Sequence, residues 1–136
     1  MPDAQQEAAF VKAFISPNRQ DRYLSFLANP KKRDEILNRL NHVLDFLPEY
    51  ATKVPGNQNS EEGVFEILCN HGMKEANLVY LISDIRDLDG LHLPLRQAVE
   101  KTMGAYFGTV ICCIPGKLAY YRPEAPGSGY VFEKLG

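Results

Sequence analysis

Apolar positions in the first half of the chain recur at helical spacing, and residues that start or stop helices bound each run. Asp3 followed by Gln6 makes a capping-box pattern, and Phe10, Val11, Phe14 and Ile15 then repeat at i, i+1, i+4, i+5. Ser16-Pro17 closes that helix and opens a second, with serine as the cap oxygen and proline where its missing N–H costs nothing. Asn29-Pro30 repeats the device. Beyond it Ile36, Leu37, Leu40, Val43, Leu44 and Leu47 form the strongest stripe in the chain, which predicts a long core helix ending near Pro48. Residues 51–60 are polar and turn-rich and read as a surface loop. Ser60 then caps a short helix carrying Val64, Phe65, Ile67 and Leu68, which Gly72 stops.

The period changes after residue 77. Leu78 to Ile82 is an apolar run suited to a strand covered on both faces. Leu95, Ala98, Val99, Thr102 and Met103 return to helical spacing up to Gly104. A long strand over 106–114, a Pro115-Gly116 turn, a strand over 118–122, a turn cluster over 123–129 and a short strand over 130–133 follow. Both parities of the 106–114 run are apolar, so it belongs in the centre of the sheet. The prediction is an α+β fold in one domain spanning 1–136. About four N-terminal helices precede β-α-β-β-β, and a small mixed or antiparallel sheet packs on the helices.

Composition narrows the class. The chain has 136 residues, 45% of them hydrophobic and 24% charged, with 15 Lys+Arg against 17 Asp+Glu. That apolar fraction excludes intrinsic disorder. A net charge of −2 and a pI of about 5.9 disfavour a dedicated nucleic-acid or membrane-surface protein. Residues 1–10 have neither a cationic start nor an apolar run, and no stretch reaches the about 20 apolar residues of a membrane span. Cys69, Cys112 and Cys113 are an odd set, two of them adjacent, so a reducing cytoplasm is the expected setting.

Four constellations are candidates for chemistry. The first is the acidic segment from Ser83 to His92, where Asp84, Asp87, Asp89 and His92 could hold a divalent cation or supply a base. Setting Asp87, Asp89 and Gly90 at positions 3, 5 and 6 of a calcium loop puts Ile85 at position 1 and Arg96 at position 12, where carboxylates are required. The plainer reading is Asx turns around Gly90, with Asp84 ending the strand on its own backbone. In the second, Cys69-x-His71 and Cys112-Cys113 carry zinc-ligand types at spacings that point them apart, so they read as small hydrophobes.

The third is a basic segment. Residues 18–42 hold Arg19, Arg22, Lys31, Lys32, Arg33 and Arg39 against three anions, and Lys31 to Arg33 fall where a helix N-terminus disfavours positive charge. Such a face suits solvent, an acidic partner or phosphate. In the fourth, Lys117, Tyr121 and Arg122 on the C-terminal hairpin, with Tyr120, Tyr130 and Phe132, suit a recognition surface or a half-buried strand. No phosphate loop, dinucleotide fingerprint, nucleophile elbow or His-Glu-x-x-His occurs.

Three functional readings follow, and no catalytic residue is identified. The leading one is a non-catalytic interaction or regulatory module, with no cofactor, whose partner is another protein or a second copy. A metal-assisted hydrolase or ligand-binding protein built on residues 84–92, requiring a divalent cation, is the first alternative. A phosphate or nucleic-acid binder using residues 19–39 with Lys117 and Arg122 is the second.

Overall fold

A computed structural model describes residues 2–42, 45–105, 107–124 and 129–134. The α+β expectation holds. Helices α1 (Ala4–Phe14), α2 (Pro17–Leu27) and α3 (Arg33–Asn38) come first, and α4 (Glu61–Asn70) and α5 (Leu95–Met103) interrupt the strands. The strands are β1 (Ala51–Lys53), β2 (Leu78–Ser83), β3 (His92–Pro94), β4 (Thr109–Ile114), β5 (Leu118–Arg122) and β6 (Tyr130–Glu133). They form one antiparallel sheet in the order β1-β6-β5-β4-β2-β3.

Alternation along the strands divides the core into two layers. Tyr80, Ile82, Val110, Cys112, Ala119, Tyr121 and Phe132 face α1, α2 and α3. Val79, Leu81, Ile111, Cys113, Leu118, Tyr120 and Val131 face α4 and α5. Strand β4 is central, as its two apolar parities require, and its register with β5 shifts between Cys112 and Ile114. Asp3 and Ser60 cap α1 and α4 by accepting from the N–H groups of Gln6 and Gly63. Gly72, at φ +103°, turns the chain after α4.

The long helix over 30–47 is not formed. Helix α3 covers only Arg33–Asn38 and tightens into a 3₁₀ turn at Arg39–Asn41; Val43 and Leu44 lie outside the described residues. Tertiary bonds decide the break. The Asp45 carboxylate accepts from Tyr23 Oη at 2.6 Å and from Arg39 Nε at 2.7 Å, and Phe46 pairs with Ile15 as an isolated bridge. The Ser16 N–H donates to the Asp45 carbonyl, and the Ser16 hydroxyl makes no cap bond, contrary to the expectation for that position. Two ladder-like bonds, Ser16 N–H to the Asp45 carbonyl and Leu47 N–H to the Phe14 carbonyl, and a buried carboxylate outweigh the weak helical preference of one segment.

Other boundaries differ for local reasons. Residues 51–53 are not loop but edge strand β1, paired with β6, and β3 lies between the acidic segment and α5, so six strands replace the expected four. Strand β4 begins at Thr109 and not at residue 106, which is itself outside the described residues, as are 125–128 within the 123–129 turn cluster. At Gly108 the backbone passes directly against Leu40. Its N–H donates to the Asn41 side-chain oxygen at 2.6 Å, and a Cβ there would overlap the Leu40 carbonyl. Gly108→Ala is therefore expected to destabilise the fold by about 2–4 kcal/mol. Gly56→Ala, where nothing approaches within 4 Å, should change stability by less than about 0.5 kcal/mol. Urea unfolding of the two variants tests the contrast.

Candidate functional site

The acidic segment turns back on itself between β2 and β3. Gly90, at φ +82°, donates its N–H to the Leu81 carbonyl, and the Asp89 N–H donates to the Ile85 carbonyl. This places Ser83, Asp84, Arg86 and Asp89 opposite Asp34, Leu37 and Asn38 of α3. Together they line a polar cavity of about 450 Å³.

Behind Asp89, one of its lining residues, lies a buried ionic network. Arg33, 7% exposed, uses all five of its N–H donors. Nη1 donates to Glu7 Oε1 and to the Leu27 carbonyl, both at 2.9 Å; Nη2 reaches Glu7 Oε2 and Asp89 Oδ1; Nε reaches Asp89 Oδ2 at 2.7 Å. Glu7, 4% exposed, also accepts from Tyr80 Oη at 2.6 Å, and Asp89 accepts from the Ser83 N–H. Tyr80 Oη accepts in turn from the Asp3 N–H. One guanidinium thus faces two carboxylates, and the network keeps one surplus negative charge, with Asp89 on the cavity side.

The candidate residues of the segment part company here. Asp89 is bound by Arg33 instead of being available to a ligand. Asp84 does not bond its own backbone: its Oδ2 accepts from the Asn41 side-chain N–H at 2.8 Å. His92 stands on β3 with Nε2 3.1 Å from the Asp3 carboxylate, and Asp87 points to solvent. Among the described residues no three His, Cys, Asp or Glu side chains gather closely enough to hold a metal ion. The signal for the network was present in the sequence only as Glu7 on the polar edge of an apolar stripe, and nothing local marks Glu7 as a partner of Arg33.

Of the cations of the basic segment only Arg33 is buried, while Arg19, Arg22, Lys31 and Lys32 stay exposed. Arg33 is buried, contrary to its place in a candidate surface, and only it belongs to α3, since Lys31 and Lys32 precede the helix. Arg39 and Arg19 lie 2.7 and 3.7 Å from Asp45, while Arg22 and Lys32 stand over the Phe26 ring. Tyr121 is also no surface residue: it is fully buried and donates its hydroxyl to the carbonyls of Leu40 and His42. Arg122 is half-buried against Asn59 and Met103, whereas Lys117 stays exposed. Cys112 and Cys113 are buried on opposite faces, where burial raises both thiol pKa values, that of Cys113 to about 12. His71 Nδ1 lies 2.9 Å from Glu133 Oε2, away from Cys69 chemistry.

No family model, curated protein or solved structure matches this chain.

Because Arg33 holds the buried Glu7 and the partly buried Asp89, Arg33→Met should cost about 3–5 kcal/mol in urea unfolding by leaving them uncompensated. Two sets of groups set the pH range of stability. Burial raises the hydroxyl pKa of Tyr23, Tyr80 and Tyr121, helped by Asp45 at Tyr23 and by Glu7 at Tyr80. Their stabilisation is complete below the unfolded value of about 10 and is lost as pH rises toward the folded values. Burial pushes Asp45 up, but its bonds from Arg39 and Tyr23 outweigh that and lower its pKa below 3.8, so its contribution is lost as pH falls below that value. Unfolding midpoints measured across pH should fall on both sides, and Tyr80→Phe should flatten the alkaline limb.

Proposed function

We propose that this protein is a non-catalytic binding module that takes a cationic group of a partner protein in the cavity between α3 and the 83–89 segment. The observation that carries this reading is the surplus negative charge of the Glu7–Arg33–Asp89 network, with Asp34 and Asp84 on the same cavity and only Arg86 to offset them. An arginine or lysine side chain would supply the missing charge in a concave, half-desolvated setting, where charged hydrogen bonds are strongest. Phe107, 51% exposed, lies one residue before Gly108, whose carbonyl accepts the Asp84 N–H. It offers an aromatic anchor beside the acidic wall.

A metal-assisted hydrolase is less well supported, because two of the three carboxylates it would draw on, Asp89 and Asp84, are committed to Arg33 and Asn41. Titration of a tetra-arginine peptide, followed by backbone amide NMR, tests the proposal. Shifts should centre on residues 34–38 and 83–89 and weaken with salt, Asp34→Asn should loosen binding and Arg86→Gln should tighten it. Shifts elsewhere, or a divalent-dependent hydrolysis lost on Asp87→Asn, would overturn it.

A further inference from the structure

The arginines are largely engaged with carboxylates and aromatic rings, which leaves the lysines as the mobile positive charge, and three of them converge. Lys12 stands in the last turn of α1, Lys117 follows the Gly116 turn between β4 and β5, and Lys134 leaves β6, donating its N–H to the Lys117 carbonyl at 2.8 Å. With Ala9, Ala13, Pro115 and Gly116 they line an open concavity of about 370 Å³ at the end of β4 remote from the acidic cavity. Among the described residues no carboxylate lines it. Among the described residues none of the three lysines belongs to an ion pair, although the Lys134 ammonium lies 5.1 Å from the Tyr50 ring centroid.

We propose that this concavity binds the phosphoryl group of a small phosphorylated metabolite. Three lysines line one concavity with no carboxylate among its described lining residues, and a phosphomonoester dianion would offset their charge while offering three acceptor oxygens. Charge separates phosphate from carboxylate: a phosphomonoester dianion offsets more of three positive charges than a monoanionic carboxylate does, and lysine supplies point charges with rotatable donors that suit a tetrahedral anion. Size and number separate a metabolite from larger polyanions. The concavity falls in the range of small-molecule sites, roughly 300–1,000 Å³. A duplex binder commonly neutralises about 6–10 phosphates and a lipid-headgroup patch gathers about 4–8 basic residues, more than the three lysines here. The floor is small and shallow because Gly116, at φ +72°, makes the turn and Ala9 and Ala13 face it.

The test is calorimetric titration with glycerol 2-phosphate, with sodium acetate at matched ionic strength as control. Saturable binding to the phosphate alone is expected. It should weaken by at least about tenfold in Lys117→Gln and again in Lys12→Gln, and recover in Lys117→Arg. Asp34→Asn should leave it unchanged, so this site and the acidic cavity succeed or fail independently. Circular dichroism would establish that each variant folds, and all three positions are at least partly exposed. Absence of saturable binding, equal binding of acetate, or affinity in both Gln variants equal to that of the unsubstituted protein would overturn the proposal. So would tighter binding of a single-stranded oligonucleotide or of phosphatidylserine vesicles through the same lysines.

Discussion

The Arg33 guanidinium joins the helical layer to the sheet. Its five donors reach α1 through Glu7, the end of α2 through the Leu27 carbonyl, and the segment after β2 through Asp89. Burying one cation with two anions is an expensive way to hold elements together, since apolar residues of the same volume commonly do so at lower cost. What the network supplies in return is geometry. A bidentate fork fixes the approach of α1 and α3 to β2 more narrowly than dispersion contacts do. The wall of the acidic cavity is therefore set by the same bonds that set the fold, and its charge cannot be altered at Asp89 without disturbing the helices.

The near-neutral total hides a separation of charge along the molecule. Strand β4 runs from Thr109, whose hydroxyl lies 2.7 Å from that of Ser83 beside the acidic cavity, to Ile114 beside the lysine concavity. Opposite signs thus sit at opposite ends of the central strand. Both concavities lie where connections meet the sheet ends, while the faces of the sheet are filled by helices. Both concavities are thus lined largely by residues of connecting segments and helix ends, where binding residues are commonly found.

Much of the fold was legible in the residues. Leu78 to Ile82, the two parities of Val110 to Cys113, and the stops at Gly72 and Gly104 each reflect a local rule that no distant contact overrides. The stripe from Ile36 to Leu47 misled because periodicity does not register what Asp45 does once Tyr23 and Arg39 are near it. Strands β1 and β3, three residues each, carry too little pattern to be seen and exist because a neighbouring strand offers them bonds. The candidate site was legible only as a charge-rich segment. Which of its carboxylates stay free depends on Arg33 and Asn41, and that pairing is long-range. Of the lysine concavity only Lys117 was marked by the sequence, since the other lysines come from α1 and the end of β6.

Cys112 and Cys113 are adjacent in the chain yet belong to different layers of the core, one facing α1 to α3 and the other facing α4 and α5. Each thiol is sealed by its own set of helices. The rate at which each becomes accessible to an alkylating reagent reports the opening of one layer, so two neighbouring atoms of sulfur serve as separate clocks. If the layers open together, the two rates coincide and the sheet and its helices form one cooperative unit. If they differ, the ratio measures how unequally the two faces of a single strand are held.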